Sequence, residues 1–347
     1  MRYHKLGRTG LYVSELCLGT MTFGGKGFWK TIGEVGAGEA TTFLKTVYDA
    51  GVNFIDTANV YHEGESERLL GQVLKEAGIP RHKWVIATKV RGRMGRGPND
   101  VGLTRHHIMN QLDASLSRLG LDYIDLYQVH GFDPETPLEE TLRALDDAVR
   151  QGKVRYLGLC NYAAWQIMKA LAISEQMGWH RFQSAQVFYS VAGRDIEREI
   201  VPLAQDQGLS ILPWSPLAGG LLSGKFRKDK PITEPTRRAA FDFPPVNKER
   251  ALDAIEVMAE FAQSRGVSIA QIALNWLLLR PCVSSVIIGA RTVEQLQDNL
   301  KCVNFRLSDS ECKAIDKVSS LPQEYPGWML SFQNQDRTPG GGVSMNN

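Results

Sequence analysis

Residues 123–130 read YIDLYQVH, an apolar run that stops on a histidine. Five other runs have the same build. VNFIDT (52–57) carries Asp56, WVIATK (84–89) ends on Lys89, and VRYLGLCN (154–161) ends on Asn161. SAQ (184–186) ends on Gln186, and LSILPW (209–214) ends on Trp214. Each run stops on a reactive or hydrogen-bonding group and is followed by a helical pattern. A (β/α)₈ TIM barrel predicts this rhythm, because its active site is assembled from the C-terminal ends of many different strands. The rhythm therefore locates the fold and the site together.

Working outward, strand-like runs fall at 53–56, 84–88, 123–129, 154–159, 184–187, 209–213 and 284–288. With a first strand in ELCLGT (15–20), they make eight. Helical patterns interleave at 38–50, 65–77, 105–119, 137–151, 163–177, 195–207 and 292–300, which implies a parallel sheet with right-handed crossovers. YHKL and LYVS flank the turn GRTG and predict an N-terminal β-hairpin over 3–14. Two extra helices, 248–264 and 268–279, precede the last strand. A C-terminal helix over 308–319 starts with a capping box, Ser308 and Glu311. Three insertions, 22–37, 91–103 and 218–247, each leave the C-terminal end of a strand, where loops shape a binding site. The expected organisation is one barrel domain over 1–320 and a tail over 321–347. The tail's polar, Gly-rich end RTPGGGVSMNN is expected to be disordered.

Composition narrows the function. The chain has 347 residues, 43% of them apolar, which is enough for a full core. Forty basic and 38 acidic residues give a net charge of +2, without the basic footprint of a nucleic-acid or anionic-membrane binder. No apolar run approaches a membrane span, and the N-terminus lacks the apolar core of a secretion signal, so a cytoplasmic protein is expected. The five cysteines show neither CxxC pairing nor metal-ligand spacing and are expected to be free thiols. HExxH, a Walker loop and a GxGxxG after the first strand are all absent, so neither a metal nor a Rossmann-bound dinucleotide is expected.

What remains is Asp56, Tyr61, Lys89 and His130. The first four strands of a barrel would place them around one bowl. A phenol has a pKa of about 10, too high for a ready acid or base at neutral pH. An ammonium beside it lowers that value, and a carboxylate keeps the ammonium charged and fixed. An imidazole across the bowl can hydrogen-bond a substrate oxygen. Such a set protonates a carbonyl oxygen or deprotonates an alcohol.

GVNFIDTANVY followed by GESE, ATKV, and YIDLYQVH resemble the signatures of the aldo-keto reductase superfamily, and the resemblance covers about 2–320. It implies that Tyr61 is the general acid, that Lys89 lowers its pKa, that Asp56 supports Lys89, and that His130 orients the carbonyl. It also implies a nicotinamide cofactor held by the barrel itself. Asn161 and Gln186 would hold its carboxamide, with Asp56 close by. Trp214 would stack on its ring, and Thr20 and Met21 would approach from the first strand. SPLAGGLLSGK resembles the family's pyrophosphate-embracing loop, with Ser215, Pro216, Leu217, Gly219 and Lys225 as contacts. VIIGARTVEQLQDNL resembles its adenosine-phosphate motif, with Gly289, Arg291, Gln295, Asp298 and Asn299. Arg291 sits where a 2′-phosphate would be clamped, so NADPH is expected over NADH.

Two positions depart from the family pattern. Cys160 stands where serine is frequent, and a thiol is a weak donor toward a carboxamide. His62 replaces a common glycine and is expected to face solvent rather than narrow the substrate mouth. Phe23, Trp29 and Phe132, with Tyr325 and Trp328 of the tail, are candidate pocket residues, and Arg91 or Arg93 could meet an anionic substrate. The reading is reversible, metal-free, NADP(H)-dependent reduction of an aldehyde or ketone to an alcohol. Two other readings stay open: a Schiff-base aldolase using Lys89, and a cofactor-bound, redox-sensing regulatory or channel-associated subunit. Substrate identity, physiological direction and any homo-oligomer are not legible.

Overall fold

The computed structural model describes residues 1–228, 238 and 241–334. Strands β1 (Tyr3–Lys5) and β2 (Tyr12–Ser14) form the antiparallel hairpin, with Tyr3 opposite Ser14. The next eight are β3 (Leu16–Gly19), β4 (Phe54–Asp56), β5 (Val85–Val90), β6 (Ile124–Val129), β7 (Val154–Cys160), β8 (Phe182–Phe188), β9 (Ser210–Trp214) and β10 (Val286–Ile288). They pair in parallel in chain order, and β10 returns to pair with β3. A bridge between Ile211 and Val283 spans the seam between β9 and β10, so the sheet closes into the expected barrel.

Helices α1 (Ala37–Asp49), α2 (Glu65–Ala77), α3 (Arg105–Leu119), α4 (Leu138–Arg150), α5 (Ala164–Met177) and α6 (Ile200–Gln207) follow β3 to β8 in turn. The two extra helices, α7 (Lys248–Arg265) and α8 (Ile269–Leu278), lie between β9 and β10. After β10 come α9 (Val293–Leu300), α10 (Asp309–Ser319) and α11 (Gly327–Asn334). The capping box at α10 forms: Ser308 Oγ accepts from the Glu311 amide, and Glu311 Oε2 accepts from the Ser308 amide at 2.7 Å. α11 lies in the segment expected to be the tail. The disorder expected for 337–347 falls outside the described residues.

The helix expected over 195–207 is broken. A 3₁₀ turn covers Asp195–Glu197, and α6 starts only at Ile200. Pro202 explains the break. It has no amide hydrogen for the carbonyl of Arg198, so it is tolerated only in a helix's first turn.

Side chains alternate along each strand. Ile55, Ile86, Tyr127, Leu157 and Ile211 face outward and pack with the large helix-facing core. Cys17, Phe54, Val85, Ala87, Leu126, Leu212 and Ile287 form a second core, and the hairpin's Leu6 and Val13 join it. This second set fills the barrel interior from below. Each fully buried Leu or Phe there contributes about 1.5–3 kcal/mol. Gly7 lets the hairpin seat against the barrel: at φ +59°, a β-carbon there would lie 2.3 Å from the carbonyl oxygen of Gln183. The same inward alternation, carried two residues further up, reaches Asp56, Lys89, Gln128, Cys160, Gln186 and Trp214. The apolar plug thus becomes a polar layer at the strands' C-terminal ends.

Candidate active site

Lys89 is fully buried at the end of β5. Its ammonium donates to Asp56 Oδ1 at 2.5 Å, to the Thr57 carbonyl at 2.8 Å and to Tyr61 Oη at 3.4 Å. Three donors therefore have three acceptors. The second Asp56 oxygen accepts from Gln128 Nε2 and Gln186 Nε2, each at 2.9 Å. His130, just past β6, meets Tyr61 edge-on with ring centroids 5.7 Å apart. The four expected residues thus share one bowl.

The electrostatics follow from burial and from this pairing. Burial alone would lower the pKa of Lys89, but Asp56 and Tyr61 outweigh it and hold the ammonium well above its ordinary value. Burial raises the Tyr61 phenol above its ordinary value, while Lys89 pulls it down and Asp56 pushes it up. The lowering expected from Lys89 is therefore present but outweighed, and the phenol is protonated at neutral pH. His130 is lowered to about 3 by burial, helped by Lys89 and Arg91, so its imidazole is neutral.

Gln128 was missed in the sequence, although its position two residues before His130 gives it the same inward parity. Besides holding Asp56, its carbonyl oxygen accepts from Gln186 Nε2 at 3.3 Å and from the Cys160 thiol at 3.9 Å. Cys160 is therefore a buried thiol inside the barrel, not a group at the mouth. Asn161, in a left-handed conformation at φ +56°, donates to the His130 carbonyl at 3.1 Å. Its own carbonyl accepts from Trp214 Nε1 at 3.0 Å. Trp214 lies nearly parallel to Phe243, with centroids 5.8 Å apart, and Phe188 is tilted against it at 5.2 Å.

Several expectations change. His62 does not face solvent; it is buried, at φ +50°. Its Nδ1 accepts from the Lys26 amide at 3.1 Å and its Nε2 donates to the Met21 carbonyl at 3.0 Å. His62 therefore ties down the first insertion, whose Trp29 meets the Tyr61 ring at 5.3 Å. Phe23 is fully buried in the core against Phe43. Tyr325 and Trp328 meet each other, and among the described residues no ring contact joins them to the bowl. Of the expected cofactor contacts, Thr20 follows the C-terminal end of β3 with its hydroxyl buried 3.0 Å from Ser66 Oγ. Asp298 accepts from Ser268 Oγ and Gln271 Nε2, each at 2.6 Å, and so joins α9 to α8.

The two expected phosphate-binding stretches are both shaped by glycine. In the turn after β9, Ser215 Oγ accepts from the Gly219 amide at 2.9 Å, with Pro216 buried between them. A β-carbon on Gly219 would lie 2.3 Å from the Phe243 carbonyl oxygen, so that position requires glycine. Leu217 is half-buried and packs on the core, and Lys225 is exposed. After β10, Gly289 is exposed with open space over its α-carbon. The Arg291 amide donates to Gln295 Oε1 at 3.0 Å, and Asn299 Nδ2 donates to the Gly289 carbonyl at 3.3 Å. The Arg291 guanidinium reaches the first insertion, donating to the carbonyls of Ile32 at 3.0 Å and Thr31 at 2.6 Å.

The sequence model of the Aldo/keto reductase family matches residues 15–320. The chain belongs to the aldo/keto reductase family. As an aldo/keto reductase it is 39% identical over 332 residues to an uncharacterized oxidoreductase, YrpG, of Bacillus subtilis, covering 93% of this chain and 97% of that one. It is 34% identical to the versiconal hemiacetal acetate reductase of Aspergillus parasiticus, covering 94% and 99%. It is 35% identical to a probable voltage-gated potassium channel subunit beta of rice, Oryza sativa subsp. japonica, covering 96% and 100%. Like the reductases of this family it is an oxidoreductase acting on a small carbonyl compound with a nicotinamide cofactor. Among the described residues of this reductase, no helix is long and apolar enough to cross a membrane.

Proposed function

We propose that this aldo/keto reductase reduces an aldehyde or ketone to an alcohol with NADPH, reversibly, and that Tyr61 is its acid. The supporting observation is the buried chain from Asp56 through Lys89 to Tyr61. The residues fit the cofactor. Gly289 leaves room for close backbone approach, and Arg291 and Gln295 are exposed beside it. Asn161 and Trp214 lie at the mouth, beside His130. When bound, the reduced nicotinamide supplies a hydride to the carbonyl carbon. Tyr61 Oη gives its proton to the carbonyl oxygen as negative charge builds there. The Lys89 ammonium stabilises the phenolate left behind, and the neutral His130 donates an N–H to the same substrate oxygen. Asp56, held by Gln128 and Gln186, fixes the ammonium. Trp29 supplies an apolar wall beside Tyr61.

The same geometry disfavours a Schiff-base aldolase. Lys89 is protonated and fully partnered, whereas a nucleophilic lysine needs a free amine. A regulatory, cofactor-sensing role is the second reading, motivated by the relative named as a potassium channel subunit. Five free cysteines accord with a reducing compartment such as the cytoplasm. The deciding experiment follows NADPH oxidation over a carbonyl panel for the native chain and Tyr61→Phe, with cofactor binding read by fluorescence titration. Turnover by the native chain and a loss of about 10²–10⁴-fold in the variant, with binding kept, supports the reading. Binding without turnover on any carbonyl favours the sensor.

A further inference from the structure

Arg91 is the first residue past β5, and His130 is the first past β6. The strands are in register, with Val90 beside Val129, and the His130 amide donates to the Val90 carbonyl at 2.8 Å. Arg91 and His130 are therefore neighbours on the rim of the bowl. The Arg91 carbonyl accepts from the Gly102 amide at 2.9 Å, which anchors its backbone. That backbone has φ +143°, a conformation rare for any residue but glycine and one that clusters at functional sites.

The side chain is not similarly occupied. Among the described residues the Arg91 guanidinium makes no hydrogen bond and no ion pair, and its Nε is buried without a partner. Arg93, two residues on, differs: its guanidinium is bound to the carbonyls of Gly95 and Gly97 at 3.2 and 2.8 Å. The carboxylate nearest in sequence to His130, Asp133, feels the charge of Arg91 but forms no ion pair with it among the described residues, its oxygens being bonded to other donors. It accepts from the Leu103 amide and the Thr136 hydroxyl at 2.7 Å and from the Glu135 amide at 3.1 Å. A second orphan stands in the same corner. Tyr162, past the end of β7, is 3% exposed, and its hydroxyl has no partner. Phe132 meets the Tyr162 ring edge-on at 5.2 Å. A buried polar group without a partner is uncommon in a folded protein and calls for a ligand or an ordered water.

We infer that Arg91, backed by Tyr162, is an anion-binding subsite beside His130, and that the substrates of this site are carbonyl compounds carrying a carboxylate. A guanidinium edge matches a carboxylate in two parallel hydrogen bonds. The carbonyl would meet Tyr61 and His130 while the carboxylate meets Arg91, so the two ends fix the molecule's orientation. The inference rests on the reductase reading of the bowl.

The test compares kcat/KM for para-carboxybenzaldehyde and benzaldehyde in the native chain, Arg91→Gln, Arg91→Lys and Arg93→Gln. Each variant is first checked for a native circular-dichroism spectrum. Benzoate binding to the cofactor-loaded protein is measured in parallel by calorimetry. The native chain should prefer the carboxylated aldehyde, and Arg91→Gln should lower that preference by about tenfold or more, as expected for a lost charged hydrogen bond. Arg91→Lys should keep part of it, and Arg93→Gln should leave it unchanged. Benzoate binding should weaken in parallel with the preference in Arg91→Gln. An unchanged ratio, or an equal fall for both aldehydes, overturns the subsite and leaves Arg91 acting on His130 alone. If no aldehyde is turned over, the reductase reading fails, and the calorimetry still decides: benzoate bound equally by the native chain and Arg91→Gln, or by neither, overturns the subsite.

Discussion

Lys89 Nζ and Asp56 Oδ1 are 2.5 Å apart, with 0% and 3% of their side chains exposed. Breaking a buried ion pair by removing one partner costs about 3–5 kcal/mol, because the remaining charge is left in a poor solvent. The two halves are not equivalent. Without Lys89, Asp56 keeps two amide donors, from Gln128 and Gln186. Without Asp56, Lys89 keeps only one carbonyl and a phenol. Asp56→Leu should therefore destabilise more than Lys89→Met. Urea unfolding of the apo proteins measures both; the reverse order would show that Lys89 is the less tolerant loss.

His130 gives the acid side of the stability profile a direction. Its ordinary pKa of about 6.5 applies to the unfolded chain. In the folded protein it is lowered to about 3. Between those values the unfolded state binds the extra proton, so this contribution is complete above pH of about 6.5 and is lost as the pH falls toward 3. The melting temperature of the native chain should fall more steeply than that of His130→Gln over this window. Parallel curves would count against a buried neutral imidazole.

His62 should control the wall beside Tyr61 without touching the reacting atoms. His62→Ala removes the acceptor of the Lys26 amide and the donor to the Met21 carbonyl. The Lys26 amide should then exchange its hydrogen faster. KM for bulky aromatic carbonyls should rise more than kcat falls, because Trp29 loses its tether. His62→Asn, which tolerates the left-handed backbone, should restore part of the protection.

Arg291→Ala should lower affinity for NADPH by about 10- to 100-fold, the range of a hydrogen bond to a charged group, and leave NADH affinity far less changed. Fluorescence titration with each cofactor checks this. Equal effects on both would assign Arg291 to holding Thr31 and Ile32 alone.

Gln128→Leu should weaken turnover through Asp56 and Lys89. The variant loses one donor to the carboxylate, which costs about 1.5–3 kcal/mol. The phenolate of Tyr61, followed by ultraviolet absorbance in the apo protein, should titrate at a different pH from the native chain. An unmoved titration would make Gln128 a packing residue.

The alternation of strands and helices was legible because an inward–outward period of two and a reactive final residue recur in each strand. Asp56, Lys89 and His130 could be read from those endings, and Tyr61 from its motif. Gln128 was hidden because a glutamine inside an apolar run, YIDLYQVH, looks like a defect until its parity is counted from His130. The burial of His62 is not legible locally, because Met21 and Lys26 fold back onto it from 41 and 36 residues earlier. Phe23 looked like a pocket residue from its loop, but the Phe23–Val35 bridge draws it into the core. The break before α6 was available in Pro202. What stayed out of reach was long-range placement, which side-chain types alone do not encode.

The hydrogen bonds that build the barrel and its bowl join very distant parts of the chain. Asp56 and Gln186 are 130 positions apart, Gly7 and Ser210 are 203, and Arg291 and Thr31 are 260. No fragment of half the length contains them all. A partly folded or truncated chain would carry each chemical group and none of the geometry. Turnover in this protein is consequently an all-or-none report of a finished circle, and its recovery during refolding should lag behind the return of helical signal.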